Sequence, residues 1–167
     1  MLKRKQYDNK IIPRRREKHE ILKGEKGVVI CKNCDAAYCV KSWRHSLNDC
    51  KNLDDTAVKF SLCPACQMIK NKQFEGEIVI KNAPVKIKND LKHLIELFCK
   101  KAYERDPMDR LIAVKEIGEN LIITTTENQL AVKLAKKIKE TFKKAEVKIT
   151  YSPAPSDVAY VKIEFRI

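Results

Sequence analysis

At 167 residues the chain is long enough for one ordinary domain or two small ones, and its 44% hydrophobic residues suffice for a core. It carries 35 Lys and Arg against 22 Asp and Glu, a net charge of +13, which favours polyanionic partners, nucleic acid first and an anionic membrane surface second. No apolar run approaches the roughly 20 residues that span a bilayer, and the charged start Met1-Leu2-Lys3-Arg4-Lys5 leads into no apolar stretch, so the chain reads as cytoplasmic. Lysines that only solubilise the surface are the plainer alternative for the charge.

Residues 1–26 hold ten Lys and Arg, among them Lys3, Arg4, Lys5, Arg14, Arg15, Arg16 and Lys18, against four acids, so +6 of the +13 falls there. Such a stretch has too little apolar surface to offset its ordering entropy and is expected to be a basic arm that orders on binding. Pro13 can open a short helix through Leu22, but Ile21 and Leu22 alone do not make the apolar face of a membrane-surface helix.

Residues 27–81 contain two C-x-x-C pairs, Cys31-Lys32-Asn33-Cys34 and Cys63-Pro64-Ala65-Cys66. Two intervening residues let both sulfurs of a pair turn to one point while turn amides donate to them. Four thiolates then satisfy a tetrahedral Zn²⁺ with no position left open, which makes the expected site structural. Val28-Val29-Ile30 reads as a strand leading into the first pair, and Glu77 to Lys81 as one leaving the second. The loop between the pairs is long and polar, and a metal fixing its ends explains it. Asp35 and Gln67 stand where a glycine often relaxes such a turn, and Asp tolerates left-handed backbone better. A redox C-x-x-C needs a thioredoxin-like βαβ setting, which is missing. Disulfides are not expected among seven cysteines in a reducing compartment. Cys39, His45 and Cys50 can complete a second or altered ligand set, though nothing in their spacing demands it, and Cys99 reads as a small core hydrophobe.

Residues 82–167 read as a separate unit. Leu91, Leu94, Ile95, Phe98 and Ala102 fall on one face of a helix over about 89–105, which Asp106-Pro107 ends. Strands at 110–117 and 121–125 flank the turn Gly118-Glu119-Asn120. Thr126 to Gln129 fits a capping box, opening a helix to about Lys144 with Ala131, Leu134, Ala135, Ile138 and Phe142 inward. Strands around Val147–Tyr151 and Val161–Phe165 follow. The expected fold class is α+β: a four-cysteine zinc ribbon over 27–81, then a small antiparallel-sheet domain with helices in the order α-β-β-α-β-β.

The sequence contains no G-x-x-x-x-G-K-[ST], no H-E-x-x-H, no G-x-S-x-G and no deaminase pattern, so no enzyme is expected. Lys41, Trp43 and Arg44, beside Tyr38, mix aromatic and cationic groups as nucleic-acid surfaces do. Trp43 packing over the cysteine pairs is the competing reading. Lys133, Lys136, Lys137, Lys139, Lys143 and Lys144 lie opposite the apolar stripe of the second long helix.

The basic arm, the first C-x-x-C, the Tyr38 to Trp43 segment and Leu62-Cys63-Pro64-Ala65-Cys66 with basic residues after it form one ordered set. Ile122-Ile123-Thr124-Thr125-Thr126 and Gln129-Leu130-Ala131 extend it. Over roughly residues 14–167 this set resembles a group of short prokaryotic zinc-ribbon proteins, archaeal in type. That group is related to the N-terminal part of the adaptor that exports the large ribosomal subunit from the nucleus. The resemblance implies zinc at Cys31, Cys34, Cys63 and Cys66, and binding to ribosomes or structured RNA. The adaptor's additional cysteine pairs are missing, and a prokaryote has no nucleus, so the export task does not carry over. The expected function is therefore non-catalytic, zinc-dependent RNA binding, with ribosomal RNA or the ribosome as partner. A zinc-stabilised module docking a protein partner on its α+β domain is the alternative.

Overall fold

The computed structural model describes residues 27–51 and 58–166. The arm residues Lys3, Arg4, Lys5, Arg14, Arg15, Arg16 and Lys18 lie outside the described residues. Within them the protein is a mixed α+β fold with two sheets and three helices.

The first sheet is built from short strands, β1 (Val28–Cys31), β2 (Ala37–Cys39), β3 (Ser42–Arg44) and β4 (Val58–Ser61), in the order β3-β2-β1-β4. β1 pairs antiparallel with β2 and parallel with β4. The β2–β3 hairpin turns through Val40 and Lys41, both with positive φ, 48° and 63°. Those values suit the right-handed twist of a two-residue hairpin, and a valine there is unusual. Helix α1 (Pro64–Lys70) follows β4 directly.

The second sheet contains β5 (Gly76–Lys81), β6 (Leu111–Ile117), β7 (Asn120–Thr125), β8 (Ala145–Tyr151) and β9 (Ala159–Phe165), ordered β6-β7-β5-β9-β8. Two expectations change here. The strand at 76–81, expected to close the cysteine segment, is the central strand of this sheet, so the run of elements is β-α-β-β-α-β-β. The sheet is also mixed and not purely antiparallel, because β9 lies parallel to β5, with Gly76 opposite Ala159. The central place of β5 accords with its burial, since Ile78 and Ile80 alternate inward with no exposure.

Helices α2 (Lys88–Arg105) and α3 (Asn128–Thr141) cover one face. Leu91, Ile95 and Cys99 of α2 and Leu130, Ala131, Leu134, Ala135 and Ile138 of α3 meet Ile78, Ile80, Ile123, Val161 and Ile163 of the sheet. Each fully buried large aliphatic side chain contributes about 1.5–3 kcal/mol of transfer free energy. The helix faces are those expected from periodicity. The start of α3 is not: its N-cap is Glu127 with no side-chain cap, and the hydroxyl of Thr126 is engaged elsewhere, as described below.

At Gly76 the sheet and helix α3 leave no room for a side chain. A Cβ there would stand 2.4 Å from Thr125 Oγ1 and 2.5 Å from Ala131 Cβ. Gly76→Ala is expected to lower unfolding free energy by about 1–3 kcal/mol through overpacking, read as a reduced denaturant midpoint with an unchanged metal content.

Candidate metal centre

The parallel pairing of β1 with β4 places Cys31 opposite Ser61, and the amide of Lys32 donates to the Ser61 carbonyl at 3.0 Å. The chain leaving β4 therefore runs beside the first cysteine pair. After Cys34 the backbone reverses at Asp35, φ 59°, the left-handed geometry that Asp accepts. The amide of Cys31 then bonds the Ala36 carbonyl at 2.8 Å. The second pair is built differently from the first and from the ribbon expectation. Cys63 is the N-cap of α1, Pro64 occupies its first turn, and Cys66 lies one turn in. Gln67 is helical, so no relaxing glycine is needed there.

The four sulfurs of Cys31, Cys34, Cys63 and Cys66 all lie within 4.8 Å of one another. Cys34 Sγ and Cys63 Sγ are 3.7 Å apart, close to the edge of a tetrahedron with bonds of about 2.3 Å, roughly 3.8 Å. All four thiols are free of disulfides, and three are buried. Amides point at them: Cys63 N–H donates to Cys31 Sγ at 3.2 Å and Cys66 N–H to Cys63 Sγ at 3.4 Å. Asn33 Nδ2 donates to Cys66 Sγ at 3.3 Å. Four convergent sulfurs with donors behind them form a cluster that can hold one metal ion with every position supplied by the protein.

The electrostatics are uneven. Burial works to raise the Cys31 thiol, but the amides of Cys63, Asn33 and Cys34 outweigh it and bring it down to about 6. At Cys34 and Cys63 burial prevails, and both thiols are held above their ordinary value. A cation among the sulfurs must displace these protons, so metal affinity falls as pH falls.

One residue that the sequence did not single out completes the centre. Arg110, the residue just before β6, donates from Nη2 to Cys34 Sγ at 3.0 Å and from Nη1 to Cys66 Sγ at 3.5 Å. Burial works against its charge, yet the Cys34 hydrogen bond and the neighbouring thiolates hold its pKa above the ordinary value. Its Nε donates to the Pro107 carbonyl at 2.8 Å, and its guanidinium lies 5.1 Å from the Tyr103 ring centre. Thr126 aims it. The Thr126 hydroxyl donates to the Met108 carbonyl at 2.6 Å and accepts from the Arg110 amide at 2.8 Å. That hydroxyl therefore holds the turn before β6 instead of capping α3. Met108, 1% exposed, packs among Val29, Tyr38, Trp43 and the cysteines.

The remaining candidates separate clearly. Lys41 and Arg44 are on the hairpin, Arg44 exposed and Lys41 exposed at its tip. Trp43 is 8% exposed, tilted against Tyr38 and packed on the cysteine core, so its ring offers no face to a base. Cys39 and Cys50 form a disulfide, contrary to the expectation of reduced thiols, and neither is free to ligate. The bond ties the end of β2 to the chain following a 3-10 turn at Leu47–Asp49. His45 stands edge-on to Tyr103, with ring centres 4.9 Å apart. Cys99 is buried in the larger core, which pushes its thiol up to about 12. Among the described residues no helix is long and apolar enough to cross a membrane. No protein-family model and no curated protein matches the chain.

Arg110→Gln is expected to weaken metal binding about 10–100-fold, as loss of an outer-shell partner does. Arg110→Lys restores little, because an ammonium cannot fork between two sulfurs. Competition with a chromophoric chelator measures both, and equal affinities for the three proteins would show that the guanidinium does not act on the centre.

Proposed function

We propose that the chain is a non-catalytic zinc protein that binds RNA, ribosomal RNA or the ribosome, in the cytoplasm. The observation that carries the zinc assignment is the closed set of four cysteine sulfurs within 4.8 Å. Tetrahedral four-sulfur sites take zinc or iron, and zinc fits a site whose only task is to hold a small core together, having no redox chemistry and no ligand-field demand. A closed set leaves no position for substrate or water, which argues against chemistry at the metal. The RNA assignment is supported by the +13 charge, by exposed Lys41 and Arg44 on the β2–β3 hairpin, by the basic stretch over 1–26, and by the resemblance to ribosome-linked proteins. Trp43 has no part in it.

The second reading, a protein-docking module, draws on the face of the larger sheet opposite the helices. Val79, Ile122, Thr124 and Tyr160 lie half-buried there, alternating with the inward residues.

Metal analysis of the purified protein is expected to return one zinc per chain, with chelation causing loss of near-UV circular dichroism. One iron per chain would exclude the zinc assignment. Filter binding to ribosomal RNA is expected to weaken steeply with salt, each neutralised phosphate contributing roughly 0.9 to the log–log slope, and to weaken on removal of residues 1–26. Salt-insensitive or absent association would end the RNA assignment. Co-sedimentation with ribosomes that survives nuclease would favour the docking module.

A further inference from the structure

Helix α3 has two sharply different sides. Leu130, Ala131, Leu134, Ala135 and Ile138 are at most 2% exposed and face the sheet. Lys133, Lys136, Lys137 and Lys139, with Lys143 and Lys144 in the turn that follows, are all exposed. Between Gln129 and Lys144 only Glu140 carries the opposite charge. Among the described residues no ion pair or side-chain hydrogen bond holds any of these six ammonium groups, since the cations so engaged are elsewhere. Lys133 with Lys136 and Lys137, and Lys136 with Lys139, fall at i,i+3 and i,i+4 spacing, where like charges destabilise a helix. Glu140, at i+4 from Lys136 and i+3 from Lys137, offsets only one of these charges, so the fold maintains a cationic strip with a large excess of lysine.

We propose that this strip is a docking surface for the phosphate backbone of double-stranded RNA. The inference rests on the RNA reading above and adds to it the surface and the form of the RNA. Charge complementarity selects a polyanion. A bilayer is disfavoured because surface helices insert an apolar face beside their cations, and every large apolar side chain of α3 is already buried in the core. A single strand is disfavoured because aromatic stacking platforms hold unpaired bases, and α3 presents no aromatic residue among its exposed positions. What remains is a row of point charges about 9 Å long over the helical lysines, at about 1.5 Å per residue. Such a row can follow a regular duplex backbone and carries no means of reading sequence.

The test compares the full-length protein with a variant carrying Lys133→Gln, Lys136→Gln, Lys137→Gln and Lys143→Gln, and with the corresponding four-arginine variant. Gln matches Lys in helix propensity, and far-UV circular dichroism confirms the fold. Fluorescence anisotropy with an RNA duplex of about 20 base pairs and with a single strand of the same length is followed across salt. The glutamine variant is expected to bind duplex at least about tenfold more weakly, with a slope shallower by roughly 0.9 per lysine that meets a phosphate, and the arginine variant to bind as the parent does. Parent and glutamine variant binding duplex with equal affinity and slope would overturn the strip while leaving the RNA reading intact; a double Lys41→Gln, Arg44→Gln variant would then locate the contact. Binding to the single strand alone would likewise overturn the strip and spare the RNA reading. Binding to phosphatidylserine vesicles through the same lysines, with no RNA association at all, would overturn both.

Discussion

Four sulfurs held within 4.8 Å of one another cannot all carry charge unless a cation stands among them, and the smaller sheet and the helix after it bring all four to that one place. The apolar core around the cysteines consists of Val29, Ala36, Tyr38, Trp43, Ala65 and Met108, and a second small cluster of Val28, Ala37 and Cys39 packs with Ile30 and Leu47, so neither side of the four short strands has a large core. Binding free energy at such a centre is folding free energy. The parallel β1–β4 pairing, the reversal at Asp35 and the direction of α1 each serve to bring one sulfur into register with the others. Four thiolates around a divalent ion leave two negative charges, and Arg110 offsets one of them. Because Arg110 belongs to the strand system of the larger sheet, neutralising the centre also joins the two sheets.

The legible parts of the sequence were those with a short-range signature. The paired cysteines, the inward faces of α2 and α3, and the hairpin at Gly118 all follow from spacing within a few residues. The missed parts are long-range. The strand at 76–81 reads as an ordinary apolar run, and nothing within it says that its partners are residues near 122 and 161. Arg110 is one cation among many until the Thr126 hydroxyl fixes the turn before it. Thr126 itself has the pattern of a helix cap, and only tertiary demand diverts its oxygen. The second cysteine pair read as a turn because C-x-x-C spacing serves a loop and the first turn of a helix equally well. Pro64 in the first helical turn was the one local sign of the latter. Cys39 and Cys50 read as spare thiols because disulfides are uncommon in reducing compartments.

The surfaces divide by charge and by chemistry. Three of the four cysteines are buried, and the half-buried Arg110 guanidinium offsets part of the charge that four thiolates would carry. The helix layer presents lysines outward, while the opposite sheet face mixes Lys162 and Glu164 in an exposed pair with half-buried Val79 and Ile122. The two proposed kinds of partner would meet separate faces, with exposed Lys41 and Arg44 on the β2–β3 hairpin as a third element. An ion held by the cysteine cluster would act on the hairpin only by position, because Trp43 and Tyr38 of the hairpin share one apolar core with the four cysteines.

The placement of β5 has a temporal consequence. Its antiparallel neighbour β7 and its parallel neighbour β9 are distant in the chain, the latter pairing Gly76 with Ala159, so closing the larger sheet requires contacts of high sequence separation, which form slowly. The four cysteines, all between Cys31 and Cys66, are translated first. In a chain emerging from a ribosome, all four sulfurs would therefore be available to an ion well before the central strand has a β9 to pair with. Met108 and Arg110, which pack on and bond to the cysteines, would join such a centre later, and the completed sheet last.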